Sequence, residues 1–236
     1  MVLRVSRQPG GAPEIFHSLQ GEGVTQGTPT VFLRLATCNL TCGWCDTKYT
    51  WDWENYEYDK EVVSLHTQEA QDAILAYDCP HLVITGGEPL LQQRELAPLA
   101  GALKAEGLYL EVETNGTLLP SADLVRDIDQ WNVSPKLASS GNTKDRREIP
   151  GVLERFSQLP NAYFKFVIVE PGDIEEVCAL RDRYSMPHER VILMPEGQTV
   201  ETIQGRSRWV SEACVKEGFR FSTRLHILLW GDQRGR

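Results

Sequence analysis

The sequence is poor in positive charge and contains no long apolar run. Against 33 Asp and Glu it has only 24 Lys and Arg, which gives a formal net charge of -9. Because a nucleic-acid surface needs clustered basic residues, this balance argues against a nucleic-acid partner. No stretch is apolar over the length that a bilayer requires, and we find no secretory segment. We therefore expect a cytoplasmic protein that does not bind membranes.

Cysteine is also scarce, and it is unevenly distributed. Of six cysteines, Cys38, Cys42 and Cys45 share one short segment, with no fourth cysteine nearby. Thiolates from one loop suit three irons of a 4Fe-4S cube and leave the last iron open to an exogenous ligand. A structural zinc site would need a fourth ligand, and a disulfide would leave one thiol over in a reducing compartment. We favour the cluster, with zinc as the alternative.

The spacing C-x3-C-x2-C, with Trp44 before the last cysteine, resembles the signature of radical S-adenosylmethionine enzymes. Within that superfamily, the chain resembles 7-carboxy-7-deazaguanine synthases from about Glu14 to about Trp230. The motifs that carry this resemblance are Ser-Leu-Gln-Gly-Glu-Gly at 18–23, Cys-Asp-Thr at 45–47, Thr-Gly-Gly-Glu-Pro at 85–89 and Ser-Pro-Lys at 134–136. Many relatives end soon after the position of Trp230, in a proline beside the pocket. This chain continues as 231–236, which leaves that contact open.

The resemblance implies a 4Fe-4S cluster on Cys38, Cys42 and Cys45, S-adenosylmethionine on the open iron, and Mg²⁺ on Thr47. From the residues alone, Asp46 and Thr47 would instead be interpreted as a helix cap. The residues that the resemblance places against S-adenosylmethionine are Trp44, Cys45, Asp46, Gly87, Glu88, Ser134, Pro135, Lys136, Met194, Pro195, Glu196 and Gly197.

Substrate contacts are likewise implied by the resemblance. They are Leu19, Gln20, Gly21, Glu22, Arg34, Thr85 and His226. Arg34 is unusual by itself, because a guanidinium within an apolar strand pattern needs an acceptor such as a carboxylate. His226 lies in an apolar run that we predict to be a strand, where a single histidine is more typical of a packed core residue. Glu113 and Asn115 are weaker pocket candidates.

Strand and helix patterns alternate along the chain. Strands are predicted at 31–36, 82–85, 108–113, 131–133, 163–169 and 190–194, with helical segments between them. Such alternation favours a parallel sheet with right-handed crossovers, and a complete eight-unit barrel needs about 250 residues. We predict an α/β fold, a partial (β/α)6 TIM-like barrel, truncated or elaborated. It would form a single domain over residues 1–236, with a loose lead-in at 1–12 and a variable covering loop at 49–60.

Each predicted strand ends in a polar or glycine-rich segment, and parallel α/β folds place ligand sites at those ends. The resemblance implies that this site converts 6-carboxy-5,6,7,8-tetrahydropterin to 7-carboxy-7-deazaguanine, a queuosine precursor, with ring contraction and loss of ammonia. It also implies an external electron donor such as a flavodoxin, and a homodimer. The alternatives are a glycyl-radical-enzyme activase, a non-enzymatic zinc or iron-sulfur module, and a radical enzyme for another pterin or purine.

Overall fold

The computed structural model describes all 236 residues and contains one ten-stranded sheet. The strands are β1 (Val2–Ser6), β2 (Ile15–Leu19), β3 (Pro29–Leu35), β4 (Val62–His66), β5 (His81–Gly86), β6 (Tyr109–Thr114), β7 (Gln130–Val133), β8 (Ala162–Ile168), β9 (Val191–Pro195) and β10 (Arg220–Phe221). The α-helices are α1 (Tyr58–Glu61), α2 (Thr67–Leu75), α3 (Gln93–Ala105), α4 (Ala122–Asp127), α5 (Lys144–Arg147), α6 (Pro150–Ser157), α7 (Gly172–Arg183), α8 (Val200–Glu217) and α9 (Leu225–Trp230). Short 3-10 turns cover Lys48–Thr50, Pro89–Gln92, Ala138–Ser140 and His188–Arg190.

The central part of the sheet is a run of parallel strands. In the order β3-β5-β6-β7-β8-β9 each strand pairs in parallel with the next, and β10 adds a short parallel strand beside β9. Antiparallel strands β1, β2 and β4 elaborate the other side, and the sheet does not close. The predicted partial barrel of six strand-helix units is therefore confirmed.

Apolar strands covered by helices form one large core. It contains 40 buried residues, among which Trp131, Phe156, Phe164 and Phe166 are the largest that are fully buried. The rings of Trp131 and Phe156 lie 5.4 Å apart, which joins β7 to α6. Full burial of one such side chain stabilises the fold by about 1.5–3 kcal/mol. No helix has the length and hydropathy needed to span a membrane.

Two of the predicted elements are wrong. The lead-in at 1–12 contains β1, in which Leu3 and Val5 are fully buried while Val2 and Arg4 are exposed, the alternation of a half-buried strand. The run 225–230 is helix α9 rather than a strand, with only Ile227 buried. A six-residue apolar run does not distinguish the two structures by periodicity.

The expected covering loop at 49–60 is only partly a surface segment. Tyr49 and Thr50 belong to a 3-10 turn and are buried, and Trp51 is half-buried. From Trp53 to Lys60 every residue is exposed. The first part of this segment is therefore built into the protein, next to the site described below.

Candidate active site

A cavity of about 430 Å³ lies at the carboxyl ends of the parallel strands. Of the residues expected from the sequence, those that line it are Leu19, Gln20, Gly21, Glu22, Arg34, Cys38, Cys42, Trp44, Cys45, Asp46, Thr47, Thr85, Gly87, Ser134, Lys136, Met194, Glu196 and His226. Glu113 and Asn115 line it as well. Those that do not line it are Glu88, Pro135, Pro195 and Gly197. Residues spread over the whole chain thus meet in one place.

The three clustered cysteines follow β3 as free thiols, each with an N–H donor on its sulfur. Cys38 accepts from the Leu40 backbone N–H at 3.4 Å, and Cys42 accepts from the Asn142 amide at 3.3 Å. The indole N–H of Trp51 donates to Cys45 at 3.3 Å. Burial raises the pKa of Cys38 to about 12 and also raises that of Cys42.

This donor set fits an iron-sulfur cube better than a single metal ion. No group of three or more His, Cys, Asp or Glu side chains is arranged to hold one ion. A tetrahedral zinc site needs such convergence, whereas the cysteines of a cube each bind a different iron. Hydrogen bonds from N–H groups to the sulfurs are also typical of cluster ligands.

The glycine motif after β5 is pressed against the start of the cysteine loop. Gly86 has φ +132°, and a Cβ at Gly86 or Gly87 would overlap the carbonyl oxygens of Leu35 or Thr37. The Gly87 N–H donates to Leu35 O at 2.9 Å, and the next N–H donates to Thr37 O at 2.8 Å. Glycine is therefore required here by the close approach of two backbones.

Glu88 lies behind the cavity rather than in it. It is fully buried, and its carboxylate accepts from the Asn115 N–H at 2.7 Å, the Thr114 hydroxyl at 2.8 Å and the Leu90 N–H at 2.9 Å. Burial raises its pKa despite these donors. Contact of the Glu88 side chain with the cofactor is therefore not supported by its placement: its oxygens hold the loops after β5 and β6 together.

The other expected residues that miss the cavity also belong to its supporting layer. Pro135 and Pro195 are buried beside Ser134 and Met194, which do line it. Gly197 packs against Ile203, and its carbonyl accepts from Arg224 at 2.6 Å. Direct contact by these three residues is not supported by their placement.

Trp44, Ser134 and Lys136 form one wall beside the cysteines. The Lys136 ammonium donates to Ser134 Oγ at 2.9 Å and lies 5.4 Å from the centre of the Trp44 ring. The buried indole nitrogen of Trp44 has no hydrogen-bond partner within the protein. Since an unpaired buried donor is costly, this N–H is suited to a bound polar group such as S-adenosylmethionine.

Arg34 points a partly free guanidinium into the other end of the cavity. Its Nε donates to Glu14 at 2.8 Å, and its two terminal nitrogens make no hydrogen bond to the protein. Glu14 is fully buried and also accepts from Tyr49 Oη at 3.0 Å and Arg234 Nε at 3.3 Å. One carboxylate thus fixes both arginines and leaves Arg34 able to bind an anion.

Gln20 is held by carboxylates instead of facing outward with a free amide. Its Nε2 donates to Glu111 at 2.9 Å and to Glu113 at 3.3 Å. The Thr85 hydroxyl donates to the other oxygen of Glu113 at 2.7 Å. These bonds make Gln20 and Thr85 parts of a fixed wall around Glu113, one oxygen of which also lies 3.6 Å from Lys165 Nζ.

Glu22 is buried between two cations. Lys165 bonds one of its oxygens, and Arg224 Nε lies 3.2 Å from the other. Arg224 also binds the carboxylate of Asp46. Burial by itself would raise the pKa of Glu22, but the charges of Lys165 and Arg224 outweigh burial and hold it far below its usual range. Glu22 therefore stays ionised at the cavity wall.

His226 comes from α9 and packs directly on Gly21. A Cβ at Gly21 would overlap the imidazole, so glycine is needed for this approach. Burial lowers the pKa of His226 from 6.5 to about 4, and the nearby Glu22 carboxylate opposes that shift only in part. At neutral pH the ring is uncharged and can donate or accept one hydrogen bond.

Known proteins share this sequence and fold. A profile described as the Radical SAM superfamily matches residues 34–158. The chain is 41% identical to the 7-carboxy-7-deazaguanine synthase of Pyrobaculum aerophilum over 225 residues, which cover 94% of this chain and 96% of that protein. It is 31% identical to the synthase of Escherichia coli strain K12, covering 92% and 96%. The chain belongs to the 7-carboxy-7-deazaguanine synthase family. The crystal structure of QueE from Escherichia coli agrees with a TM-score of 0.70 at 26% identity, covering 96% of this chain and 95% of that one.

As a radical S-adenosylmethionine enzyme of this family, the protein uses a 4Fe-4S cluster and S-adenosylmethionine. The family assignment argues against two other interpretations of the cysteine motif, a glycyl-radical-enzyme activase and a non-enzymatic zinc or iron-sulfur module. The individual site residues stay predictions, supported by where they lie.

Sequence reasoning missed several residues of this synthase-family site. Lys165 is a buried lysine within the apolar strand β8, the same anomaly that singled out Arg34, so the signal was present. Glu14 and Arg224 lie outside any informative pattern. The segment after Trp230 also lines the cavity, and Arg234 stacks 3.5 Å from the centre of the Tyr49 ring while bonding Glu61 at 2.8 Å.

Proposed function

We propose that the protein converts 6-carboxy-5,6,7,8-tetrahydropterin to 7-carboxy-7-deazaguanine in queuosine biosynthesis. One observation carries the proposal: a single cavity is lined by three free thiols at one end and by a charged, hydrogen-bonding cage at the other. Its volume of about 430 Å³ falls in the usual range of small-molecule sites. The proposal joins this geometry to the names of the relatives.

At the cofactor end, Cys38, Cys42 and Cys45 would hold the cluster, and Trp44, Lys136 and the backbone at Gly87 would hold S-adenosylmethionine. When bound, this pair supplies the 5'-deoxyadenosyl radical that starts ring contraction. The role of this chain is to orient the reactants and exclude water, since a radical left exposed reacts unproductively. Asp46, Ser134, Met194 and Glu196 would complete that wall.

At the substrate end, the free terminal nitrogens of Arg34 would bind the substrate carboxylate as a bidentate fork. The ionised Glu22 and the oxygens of Glu113 would accept N–H groups from the pterin ring. The neutral His226 would add one hydrogen bond, and Leu19, Gly21 and Thr85 would shape the wall. Such a cage distinguishes ring orientations because each donor faces a fixed acceptor.

Magnesium would be bound through Thr47, with waters and substrate oxygens completing the octahedron. The Thr47 hydroxyl lines the cavity, and its only side-chain contact in the protein is the Cys45 sulfur at 3.6 Å. Asp46, paired with Arg224, is less free to serve as a ligand. A hydroxyl with no other role fits this assignment.

The magnesium role is tested with Thr47→Ala, and Thr47→Ser is the control that keeps the hydroxyl. Thr47→Ala should reduce product formation by about tenfold or more while largely sparing 5'-deoxyadenosine release, because the metal acts on the substrate. Both rates are measured against Mg²⁺ concentration. An unaltered magnesium dependence in Thr47→Ala would contradict the assignment.

The proposal also includes an external one-electron donor such as a flavodoxin, and a homodimer as the working assembly. Cluster reduction by a purified flavodoxin tests the electron donor, and sedimentation of the reconstituted protein measures the oligomeric state. A monomer at catalytic concentration would remove the dimer from the proposal without affecting the site.

The decisive experiment is anaerobic reconstitution, followed by mass analysis of products from 6-carboxy-5,6,7,8-tetrahydropterin. We expect 7-carboxy-7-deazaguanine and ammonia, and no product from the Cys42→Ala variant. Zinc without acid-labile sulfide would refute the cofactor assignment. Cofactor cleavage with no deazaguanine product, but with turnover of another pterin, would refute the substrate.

A further inference from the structure

The segment after the cysteine loop has a contact that the proposed reaction does not use. Trp51 is half-buried, and its indole N–H donates to Cys45 Sγ at 3.3 Å. On the opposite side, the buried Asn142 donates its amide N–H to Cys42 Sγ at 3.3 Å. Two side chains from distant segments therefore make short N–H bonds to two of the three sulfurs.

We propose that Trp51 and Asn142 are positioning residues that set the reduction potential of the cluster through N–H···S hydrogen bonds. The inference rests on the assignment of the cluster to Cys38, Cys42 and Cys45 in the proposed function. The third sulfur differs, because Cys38 takes its nearer bond from the backbone N–H of Leu40 at 3.4 Å, and the Asn115 amide lies farther away at 3.9 Å. The short side-chain bonds to sulfur are thus those on Cys42 and Cys45.

The physical reason is electrostatic. An external donor adds one electron to the oxidised cluster, and part of the added negative charge is carried by the cysteine sulfurs. An N–H dipole aimed at a sulfur stabilises the reduced form more than the oxidised form, and so raises the potential. Because Cys42 is buried and Cys45 half-buried, solvent screens these dipoles only weakly.

The orientation of the Asn142 amide is fixed by its other contacts. Its Oδ1 accepts from the Thr41 backbone N–H at 3.0 Å, so the NH2 group must face Cys42. Its own backbone N–H donates to Ser140 Oγ at 3.3 Å. If the amide were flipped, its NH2 group would face the Thr41 N–H and two donors would meet. The amide therefore keeps its NH2 group on the Cys42 sulfur.

Hydrogen bonds within the 3-10 turn fix the backbone that leads into Trp51. Its backbone N–H donates to Lys48 O at 3.0 Å, which closes the 3-10 turn, and the Thr47 carbonyl accepts from Thr50. The turn therefore aims the indole at Cys45. Trp53 of the same segment is exposed and packs edge-on against Tyr58, with ring centres 4.9 Å apart. It makes no sulfur contact, which makes it a matched control.

The test compares Trp51→Phe with Trp53→Phe in the reconstituted full-length protein. Iron and sulfide per chain are measured first, and the midpoint potential is then titrated with dithionite and followed by electron paramagnetic resonance. Trp51→Phe should keep its iron but lower the potential, by up to about a tenfold change in the reduced-to-oxidised ratio, or 59 mV for one electron. Trp53→Phe should leave the potential unchanged.

Asn142→Asp provides a second measurement on a different sulfur. It replaces the donor by a carboxylate oxygen, and should lower the potential at least as much as Trp51→Phe. If Trp51→Phe does not load a cluster, the midpoint potential of Asn142→Asp tests the inference. Wild-type potentials in iron-loaded Trp51→Phe and Asn142→Asp would overturn the inference. Full iron in a Cys42→Ala variant would instead refute the ligand assignment and, with it, the proposed cofactor end.

Discussion

The two ends of the cavity are formed by different kinds of chemical group. The cofactor end consists of sulfur, glycine backbone and neutral N–H donors, grouped mainly in the short segments 38–51 and 85–88. The substrate end consists of paired charges, in which Glu14 joins Arg34 to Arg234, and Glu22 lies between Lys165 and Arg224. At the cofactor end the sulfurs and the glycine backbone come from short segments, and charged side chains such as Lys136 lie in the surrounding wall. At the substrate end the charged pairs themselves form the wall, and their members are far apart in sequence.

This difference matches what each end is proposed to hold. Three thiolates form strong bonds to iron, so the protein needs only to place them and supply donors to sulfur. A polar heterocycle with a carboxylate must be held by many weak, directional bonds. Charges buried for that purpose need partners, because an unpaired buried charge costs several kcal/mol. The paired charges therefore satisfy one another while they shape the substrate wall, and removal of one partner is expected to destabilise the fold.

The largest expected effect comes from removing a cluster ligand. Replacement of Cys38, Cys42 or Cys45 by Ala should abolish 5'-deoxyadenosine release completely and lower iron to background, because two thiolates cannot retain the cube. Iron analysis and chromatography of the nucleoside measure both. Cys79→Ala is the control, since Cys79 lies by the amino end of β5 and bonds only Pro29 O and His81 O. If a cysteine variant kept its iron, that cysteine would not be a cluster ligand, and the proposed difference between the two ends would be wrong.

At the ionic end, a substitution should instead lower the stability of the fold. Arg224→Met leaves the Asp46 carboxylate and part of Glu22 without a partner, and should lower the free energy of unfolding by about 3 kcal/mol. Arg126→Met is the matched control: Arg126 also pairs with two aspartates, but its side chain is 65% exposed, so a much smaller loss of stability is expected. Denaturant unfolding of both apoproteins measures the difference. Equal losses would show that burial of the network contributes nothing.

The same difference explains how much the sequence could predict. At the cofactor end, the three cysteines are recognisable because fixed spacing along one loop fixes geometry, and Gly87 was assigned through the resemblance of its motif to the family. At the substrate end, Glu22 meets Lys165 and Arg224 across 143 and 202 positions, and no spacing encodes such pairs. Arg34 was found because it interrupts an apolar strand. Lys165 could have been found by that argument, while Arg224 could not.

The fold shows a comparable division. The six parallel strands were predicted because they are apolar runs bounded by turn residues, and each appears within one or two positions of its predicted bounds. Strand β1 was missed because the glycines and proline that follow it dominate the composition of residues 1–12. Helix α9 was taken for a strand since its apolar run is too short to show a period. In both cases the secondary structure is set by tertiary contacts and not by the local sequence pattern.

A smaller effect should arise where the substrate end depends on backbone space rather than charge. Gly21→Ala forces His226 out of its position, and a displacement of this kind costs about 10²-fold in product formation. Release of 5'-deoxyadenosine should fall less. Gly10→Ala is the control, because nothing lies within 4 Å of a Cβ at that position.

A double variant sharpens this test. If the loss in Gly21→Ala arises from His226, adding His226→Ala should cost little more, so that the two effects are strongly non-additive. Rates are measured at saturating substrate in single-turnover format. Additive losses would mean that Gly21 and His226 act independently, and the packing explanation would be wrong.

The smallest expected effect is a pH dependence of stability from His226. Burial lowers its pKa from 6.5 to about 4, with Arg224 and Arg34 acting in the same direction and Glu22 and Glu113 opposing. Between these values the unfolded chain binds a proton that the folded protein does not, so stability falls as pH drops through this window and is constant above it. From pH 7 to about pH 5.5 the loss should be about 1 kcal/mol.

His226→Gln should remove this loss, because glutamine does not titrate. Urea unfolding of both apoproteins at the two pH values isolates the contribution, since every other group is common to both. The ionised Glu22 interferes little, because its contribution is lost as the pH falls from the ordinary pKa of 4.5 towards its depressed value, below both pH values compared. An equal pH slope in the variant would mean that His226 is hydrated in the folded protein, and that the substrate end is more open than the cage of paired charges implies.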